Sequence, residues 1–175
     1  IKPLSINTSG SVWEISKNGK TMIQPLTSIK GLGESAMKQI LEHRPFRNIE
    51  EFIFDDAITY SKLNKKALDV LICSQALNEL MDDRFSGLKH YWSAVAVDRP
   101  KTKKKLNENI ELYEPEGDFT DEEKIEYLVN LTGVFPMHLV INENIRLGLE
   151  NNYIPPIGEY DPALEVTWFV PREVI

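Results

Sequence analysis

Leu26-Thr27-Ser28-Ile29-Lys30-Gly31-Leu32-Gly33-Glu34-Ser35-Ala36-Met37-Lys38-Gln39-Ile40 is the stretch on which the reading of this chain turns. Leu26, Ile29, Leu32, Ala36, Ile40 and Leu41 recur at helical spacing, so both flanks of the stretch read as helix. Gly31 and Gly33 interrupt the pattern, so two helical arms must be separated by a tight turn. Glycine suits such a turn because it adopts positive φ without steric penalty and leaves no side chain in the way of an approaching group. The amides of Gly31, Gly33 and Glu34 are then expected to face outward where the second arm begins. A helix start carries unpaired N–H donors and partial positive charge, so it suits an anion. Leu32 is expected to plug the turn into the core, and Ala36 to let the two arms pack closely.

An apolar-x-Gly-apolar-Gly turn followed by a small residue is the helix-hairpin-helix pattern, whose chemistry fits a nucleic-acid backbone. The candidate DNA-binding residues are Lys30, Gly31, Leu32, Gly33, Glu34, Ser35 and Lys38. The glycines bring backbone amides to phosphate, while Lys30, Ser35 and Lys38 stand where they can reach phosphates. Contacts of this kind position a duplex and carry no base sequence information. The competing reading is a plain turn between two core helices.

On the amino-terminal side, Asn18-Gly19 is a hairpin signal joining Val12–Ile15 to Thr21–Ile23. On the carboxy-terminal side, Pro45 should end the second arm, because the residue before proline disfavours helix. Ile49, Phe52, Ile53 and Phe54 form another apolar face. Leu63, Ala67, Leu68, Leu71 and Ile72 form the next, with Asn64 as its cap. Residues 81–97 read as one further helix, in which Phe85, Tyr91 and Trp92 are core residues. Residues 98–118 read as an exposed linker carrying the basic run Lys101-Thr102-Lys103-Lys104-Lys105. Thr120-Asp121-Glu122-Glu123 is a capping box opening a helix over 119–132. A second short helix is expected over 141–151, and Leu164 to Val170 has strand composition.

The charge is divided. The net is −7 over 175 residues, but residues 1–105 hold 17 Lys and Arg against 12 Asp and Glu, while residues 106–175 hold 3 against 15. A phosphate-binding surface therefore belongs in the first part, and the acidic remainder should be repelled by DNA or face protein. No apolar run approaches the ~18 residues that cross a bilayer, so no membrane partner is expected. The single cysteine, Cys73, cannot form an internal disulfide and fits a reducing, cytoplasmic setting. It sits in an apolar run and reads as a buried core residue. His43, His90 and His138 lack ligand-like spacing, so no metal and no cofactor are expected. Asp55-Asp56 and Asp82-Asp83 read as exposed helix ends rather than as converging carboxylates of a two-metal site, so no catalytic residue is assigned. The start without methionine and the ending at Val174-Ile175 read as a segment of a longer protein.

Residues 1–80 resemble the tandem helix-hairpin-helix region of the bacterial DNA polymerase III alpha subunit, the C-family replicative polymerases. The resemblance rests on several segments in order. Ile1 to Ser9 is similar to the family's lead-in, and Ile29 to Ile40 to its first hairpin. Arg44 to Phe52 is similar to the segment that follows, and Leu63 to Ile72 to the helix entering the second hairpin. Residues 119–140 are similar to an acidic helix followed by a Gly-to-His turn, here Gly133 to Leu139, and Val166 to Val174 to the start of an oligonucleotide-binding barrel. There are departures. Gln75 stands where the family has a glycine in the second hairpin, which weakens a phosphate-binding role for that unit. The proline after His138 is missing, and no clamp-binding pentapeptide is found, although a sliding clamp is a partner of the family. These departures mark a divergent member and raise a phage source as an expectation.

The expected fold is mainly α. It comprises a tandem helix-hairpin-helix domain over 1–97 with a small amino-terminal β-hairpin, a linker over 98–118, and an acidic helical segment over 119–175 ending in a strand. The resemblance implies a non-catalytic segment of a DNA polymerase (the palm aspartates lying elsewhere in the parent chain). Its partners would be double-stranded DNA and the remainder of the polymerase. Two other readings stay open. One is a protein-interaction scaffold in which the hairpins only pack. The other is a helix-hairpin-helix from a DNA repair enzyme, which would need a catalytic lysine or aspartate beside the hairpin.

Overall fold

The computed structural model describes residues 1–58, 62–156, 162–164 and 166–169. The described chain is mainly helical, with one two-stranded antiparallel hairpin near its start. Strand β1 (Glu14–Ile15) pairs with β2 (Met22–Ile23) in the register Glu14 to Ile23 and Ile15 to Met22. The turn between them falls at Asn18-Gly19, where Gly19 takes φ +70° and the Asn18 carboxamide accepts the Lys20 amide at 3.0 Å. The strands are shorter than the sequence pattern, since Val12 and Trp13 lie outside the ladder.

Helix α1 spans Glu34–His43 and α2 Ile49–Ile53. Helix α3 spans Lys65–Cys73, α4 Leu88–Trp92 and α5 Lys103–Leu112. Helix α6 spans Asp121–Thr132, α7 Met137–Val140 and α8 Glu143–Asn151. Several boundaries follow the local chemistry of the sequence. Arg44, before Pro45, is extended at ψ 156° and ends α1. Asn64 accepts the Ala67 amide and starts α3. Thr120 and Glu123 complete the capping box of α6, and Gly133 ends that helix at φ +70°. One arm differs from the sequence expectation. The segment before Gly31 is a single 3-10 turn, Leu26–Ser28, because only five residues separate Pro25 from the glycine.

The described chain divides into two compact units, residues 1–134 and 135–175. The first holds the core, in which Ile6, Leu26, Ile40, Phe52, Leu63, Leu68, Leu71, Leu77, Tyr91 and Leu106 are fully buried. Phe85 packs edge-on against Tyr91, as expected of core aromatics. In the second unit Arg146 pairs with Glu143 and Glu150 along α8. The strand expected over 164–170 is not formed among the described residues. Leu164 ends a 3-10 turn, and Trp168 makes an isolated bridge with Pro156, while Glu165 and Val170 lie outside the described residues. A strand needs a partner ladder, and only that one bridge is available there.

Two further expectations need correction. Residues 81–97 are not one helix. The helix starts only at Leu88, where the Asp118 carboxylate accepts the Lys89 amide at 2.8 Å, and it continues through a π turn over Ser93–Val97. Residues 98–118 are not an exposed linker, since they contain α5. Thr102 caps that helix by accepting the Lys105 amide, and Leu106 and Asn109 are buried. Asn109 donates to the Ala94 carbonyl at 2.9 Å and to the Asp98 carbonyl at 2.6 Å, which docks α5 on the π turn. His90 joins the same contact. Its Nδ1 accepts the Ser86 amide at 3.0 Å, so its Nε2–H donates to the Ile110 carbonyl at 2.8 Å.

Removing the Asn109 carboxamide leaves the buried Ala94 carbonyl and the part-buried Asp98 carbonyl without this donor. Asn109→Ala is expected to cost about 2–3 kcal/mol, read as a lower urea midpoint with an unchanged slope. Cys73 offers a second test. Burial, followed by the neighbouring Asp69 carboxylate, pushes its thiol up to about 12. At pH 8 the thiolate fraction is then about 10⁻⁴. Iodoacetamide should label Cys73 only when denaturant opens the fold, and rapid labelling of the native protein would contradict this environment.

Candidate nucleic-acid interface

The first hairpin turns at Gly31, whose φ is +91°. A β-carbon there would meet Val70 Cγ1 at 3.3 Å and Lys66 Cε at 3.5 Å, so the turn lies directly on α3. Both the backbone angle and the close approach require glycine. Gly33 differs. It is extended, with φ −66° and ψ 143°, and a β-carbon there would meet nothing within 4 Å. Within the protein alone Gly33 has no steric reason to be glycine.

The backbone donors of the turn are unequal. The Lys30 amide is committed to the Leu131 carbonyl at 2.8 Å, which ties the hairpin to the end of α6, and the Leu32 amide returns to Ile29 at 3.2 Å. The amides of Gly31, Gly33, Glu34, Ser35 and Ala36 have no hydrogen-bond acceptor among the described residues. Gly33, the N-cap of α1, supplies no side-chain cap. This end of α1 is left with the unpaired donors and positive dipole end that bind anions.

The amides border a concavity of about 300 Å³ lined by Gly31, Gly33, Glu34, Ser35, Ala36, Lys62, Asn64, Lys66 and Ala67. Four of the sequence candidates, Gly31, Gly33, Glu34 and Ser35, therefore come together. Leu32 is half-buried and packs against the core, and Ala36 is buried at 2% exposure. Lys30 is exposed but outside the lining. Lys38 is also outside it, on the exposed face of α1, 4.0 Å from Glu42. Lys62 and Lys66, which line the same space, were missed by motif reading because they lie some thirty residues downstream. Their signal was available in Lys62-Leu63-Asn64-Lys65-Lys66, a basic stretch around a helix cap.

The second hairpin is arranged differently. Gln75 takes the left-handed backbone conformation at φ +61°. The amides of Ser74, Gln75, Ala76 and Asn78 all find acceptors within the turn. The Glu79 carboxylate lies beside it and accepts from the Asn7 amide and carboxamide, each at 3.2 Å, and from the Ser5 hydroxyl. The Ile6 amide donates to the Ala76 carbonyl at 2.8 Å. These four amides are taken up by backbone carbonyls, so this hairpin lacks the row of open donors seen at the first.

Among the described residues no three His, Cys, Asp or Glu side chains are grouped to hold a metal ion. Asp55 accepts the Ala57 amide in a local turn. Asp82 is held by Arg84, whose guanidinium also reaches Glu50 and Asn107. That hydrogen bonding keeps the Asp82 carboxyl below its ordinary range. No helix is long and apolar enough to cross a membrane among the described residues.

The family model described as "Helix-hairpin-helix motif" matches residues 1–86. The chain is 29% identical over 113 residues to the DNA polymerase III subunit alpha of Pseudomonas aeruginosa, which covers 62% of this chain and 9% of that protein. The chain is thus similar over its first half to the helix-hairpin-helix family, and to part of a polymerase III alpha subunit, and it spans about a tenth of that relative's length.

The two glycines should respond differently to a methyl group. Gly31→Ala is expected to destabilise the fold by about 1–2 kcal/mol through positive-φ strain and contact with Val70. Gly33→Ala should leave the thermal midpoint unchanged within about 0.5 kcal/mol. Equal loss at both positions would contradict the geometry.

Proposed function

We propose that this chain is a non-catalytic duplex-DNA-binding segment of a polymerase III alpha-like chain and holds the phosphate backbone on its first hairpin. The observation that carries this reading is the row of unbonded amides at Gly31, Gly33, Glu34 and Ser35, bordering a concavity into which Lys62 and Lys66 also open. Amides and ammonium groups converging on one space suit a phosphate oxygen, and Gly33 leaves room for its approach. Lys30, exposed beside the turn, adds long-range attraction. Leu32 acts indirectly by seating the turn, and Lys38 lies farther along α1 as a weaker electrostatic contributor. Such binding is independent of sequence and weakens steeply with salt.

The partners on this reading are duplex DNA and the remainder of a polymerase chain, with a sliding clamp reached through other parts of that chain. No catalytic group and no cofactor is assigned to this segment. The similarity to a replicative polymerase subunit is what favours polymerase over repair enzyme.

The test is Gly33→Glu, which the free protein accommodates and which puts a carboxylate where phosphate would sit. Fluorescence anisotropy with a labelled duplex should show affinity falling by at least about tenfold, more than 1.4 kcal/mol, while circular dichroism and melting stay unchanged. Unaltered affinity in the folded variant would remove the first hairpin from the contact.

A further inference from the structure

Two short stretches of the first unit are basic and contain no carboxylate: Lys62 to Lys66, with Lys62, Lys65 and Lys66, and Arg99 to Lys105, with Arg99, Lys101, Lys103, Lys104 and Lys105. They are far apart in sequence but stitched together in space. The Arg99 guanidinium donates to the Leu63 carbonyl, and also to the Ile53 carbonyl at 3.3 Å. The Lys65 ammonium donates to the Val97 carbonyl at 2.9 Å. Arg99 and Lys65 thus serve as fasteners, and Lys105 pairs with Asp98 at 3.1 Å. Lys62 and Lys66 open into the concavity beside the hairpin, while Lys103 and Lys104 extend from α5 with 72% and 88% of their side chains exposed.

The placement of these lysines runs against local electrostatics. The first turns of α1, α2, α6 and α8 carry acids, which favour a helix start. The first turns of α3 and α5 carry none, and hold two and three lysines instead. Asn64 and Thr102 cap these helices by accepting from Ala67 and Lys105. What distinguishes these ends toward a ligand is their ammonium groups. The ion pair of Lys104 with Glu108 at 3.9 Å is exposed, and that of Lys103 with the half-buried Glu50 is long at 3.6 Å while Arg84 holds the same carboxylate at 3.0 Å, so neither ammonium group is bound tightly. The cleft beside Lys101 and Lys103 also contains Asp55 and Asp56, so the exposed lysines rather than the cleft interior would meet phosphate.

We infer that the duplex path continues from the first hairpin over Lys62 and Lys66 onto Lys103 and Lys104, which grip further phosphates through their side chains. This rests on the hairpin reading and extends it from a point contact to a track. The partner is duplex DNA, whose regular line of phosphates suits ammonium groups spread along a surface; a single small anion would not need them.

The experiment is a salt titration of affinity for a labelled duplex of about 20 base pairs. The full chain is compared with Lys103→Ala/Lys104→Ala, with Gly33→Glu, and with Lys17→Ala/Lys20→Ala on the β-hairpin loop as a control of equal charge loss. Each phosphate contact contributes about 0.9 to the slope of log affinity against log salt. The Lys103/Lys104 variant is expected to lower that slope by about 1.8 and to weaken binding several-fold, while the control changes neither. If Gly33→Glu abolishes binding but the Lys103/Lys104 variant matches the control, the hairpin stands and the track is overturned. If Gly33→Glu binds normally and only the Lys103/Lys104 variant weakens, the hairpin reading fails, and with it a track that starts there. Absence of binding by the unaltered chain overturns both.

Discussion

The turn at Gly31 lies against α3 closely enough that one added carbon would touch Val70 and Lys66. Much of the interface geometry depends on that contact. It brings α3, with Lys66 in its first turn and Lys62 just before it, alongside the start of α1, so amides and ammonium groups from segments thirty residues apart share one concavity. The second tie is the Lys30 amide bonded to the Leu131 carbonyl. It holds the turn from the other side and uses a donor that would otherwise point to solvent. The amides of the turn are thereby sorted into those that fix it in place and those that stay open.

The same sorting separates the two hairpins. Both contain a residue in left-handed conformation, glycine in the first and Gln75 in the second. A glutamine there accepts strain of about 1–2 kcal/mol, which the surrounding packing must hold. Around Gln75 the lead-in segment supplies it, through the Ile6 amide bonded to Ala76 and Asn7 bonded to the Glu79 carboxylate. A turn so enclosed gains rigidity and loses its open donors. From Lys30 to Ala36 in the first hairpin only the Lys30 and Leu32 amides find acceptors among the described residues, so the others stay open.

The parts of this fold that were legible in the sequence are those whose cause is local. The capping box at Thr120, the Asn64 cap, the stop before Pro45 and the Gly31-Leu32-Gly33 turn each follow from residues within a few positions. What was not legible depends on partners distant in sequence. Helix α5 looks like a linker because a buried asparagine replaces an apolar residue in its inward stripe, and that asparagine makes sense only against the carbonyls of the π turn. The start of α4 at Leu88 is set by Asp118, thirty residues on. Lys62 and Lys66 escaped for the same reason, while Lys38, adjacent in sequence, lies on the wrong face of its helix to share the concavity.

A net charge of −7 opposes contact with DNA, and the fold sets part of that charge away from the first hairpin. Helix α6 touches the hairpin with its carboxy-terminal end, at Leu131, and carries Asp121, Glu122 and Glu123 at its opposite end. At 1.5 Å per residue that acidic turn stands about 12–15 Å along the helix from the hairpin. This exceeds the Debye length of about 10 Å at 0.1 M salt. Exposed charges at that remove are largely screened, whereas Lys62 and Lys66 stand at the concavity itself and outnumber the one carboxylate there, Glu34. The orientation of α6 thus sets three of its carboxylates, Asp121 to Glu123, beyond the screening length and leaves Glu126 nearer, while its carbonyl end helps to hold the site together.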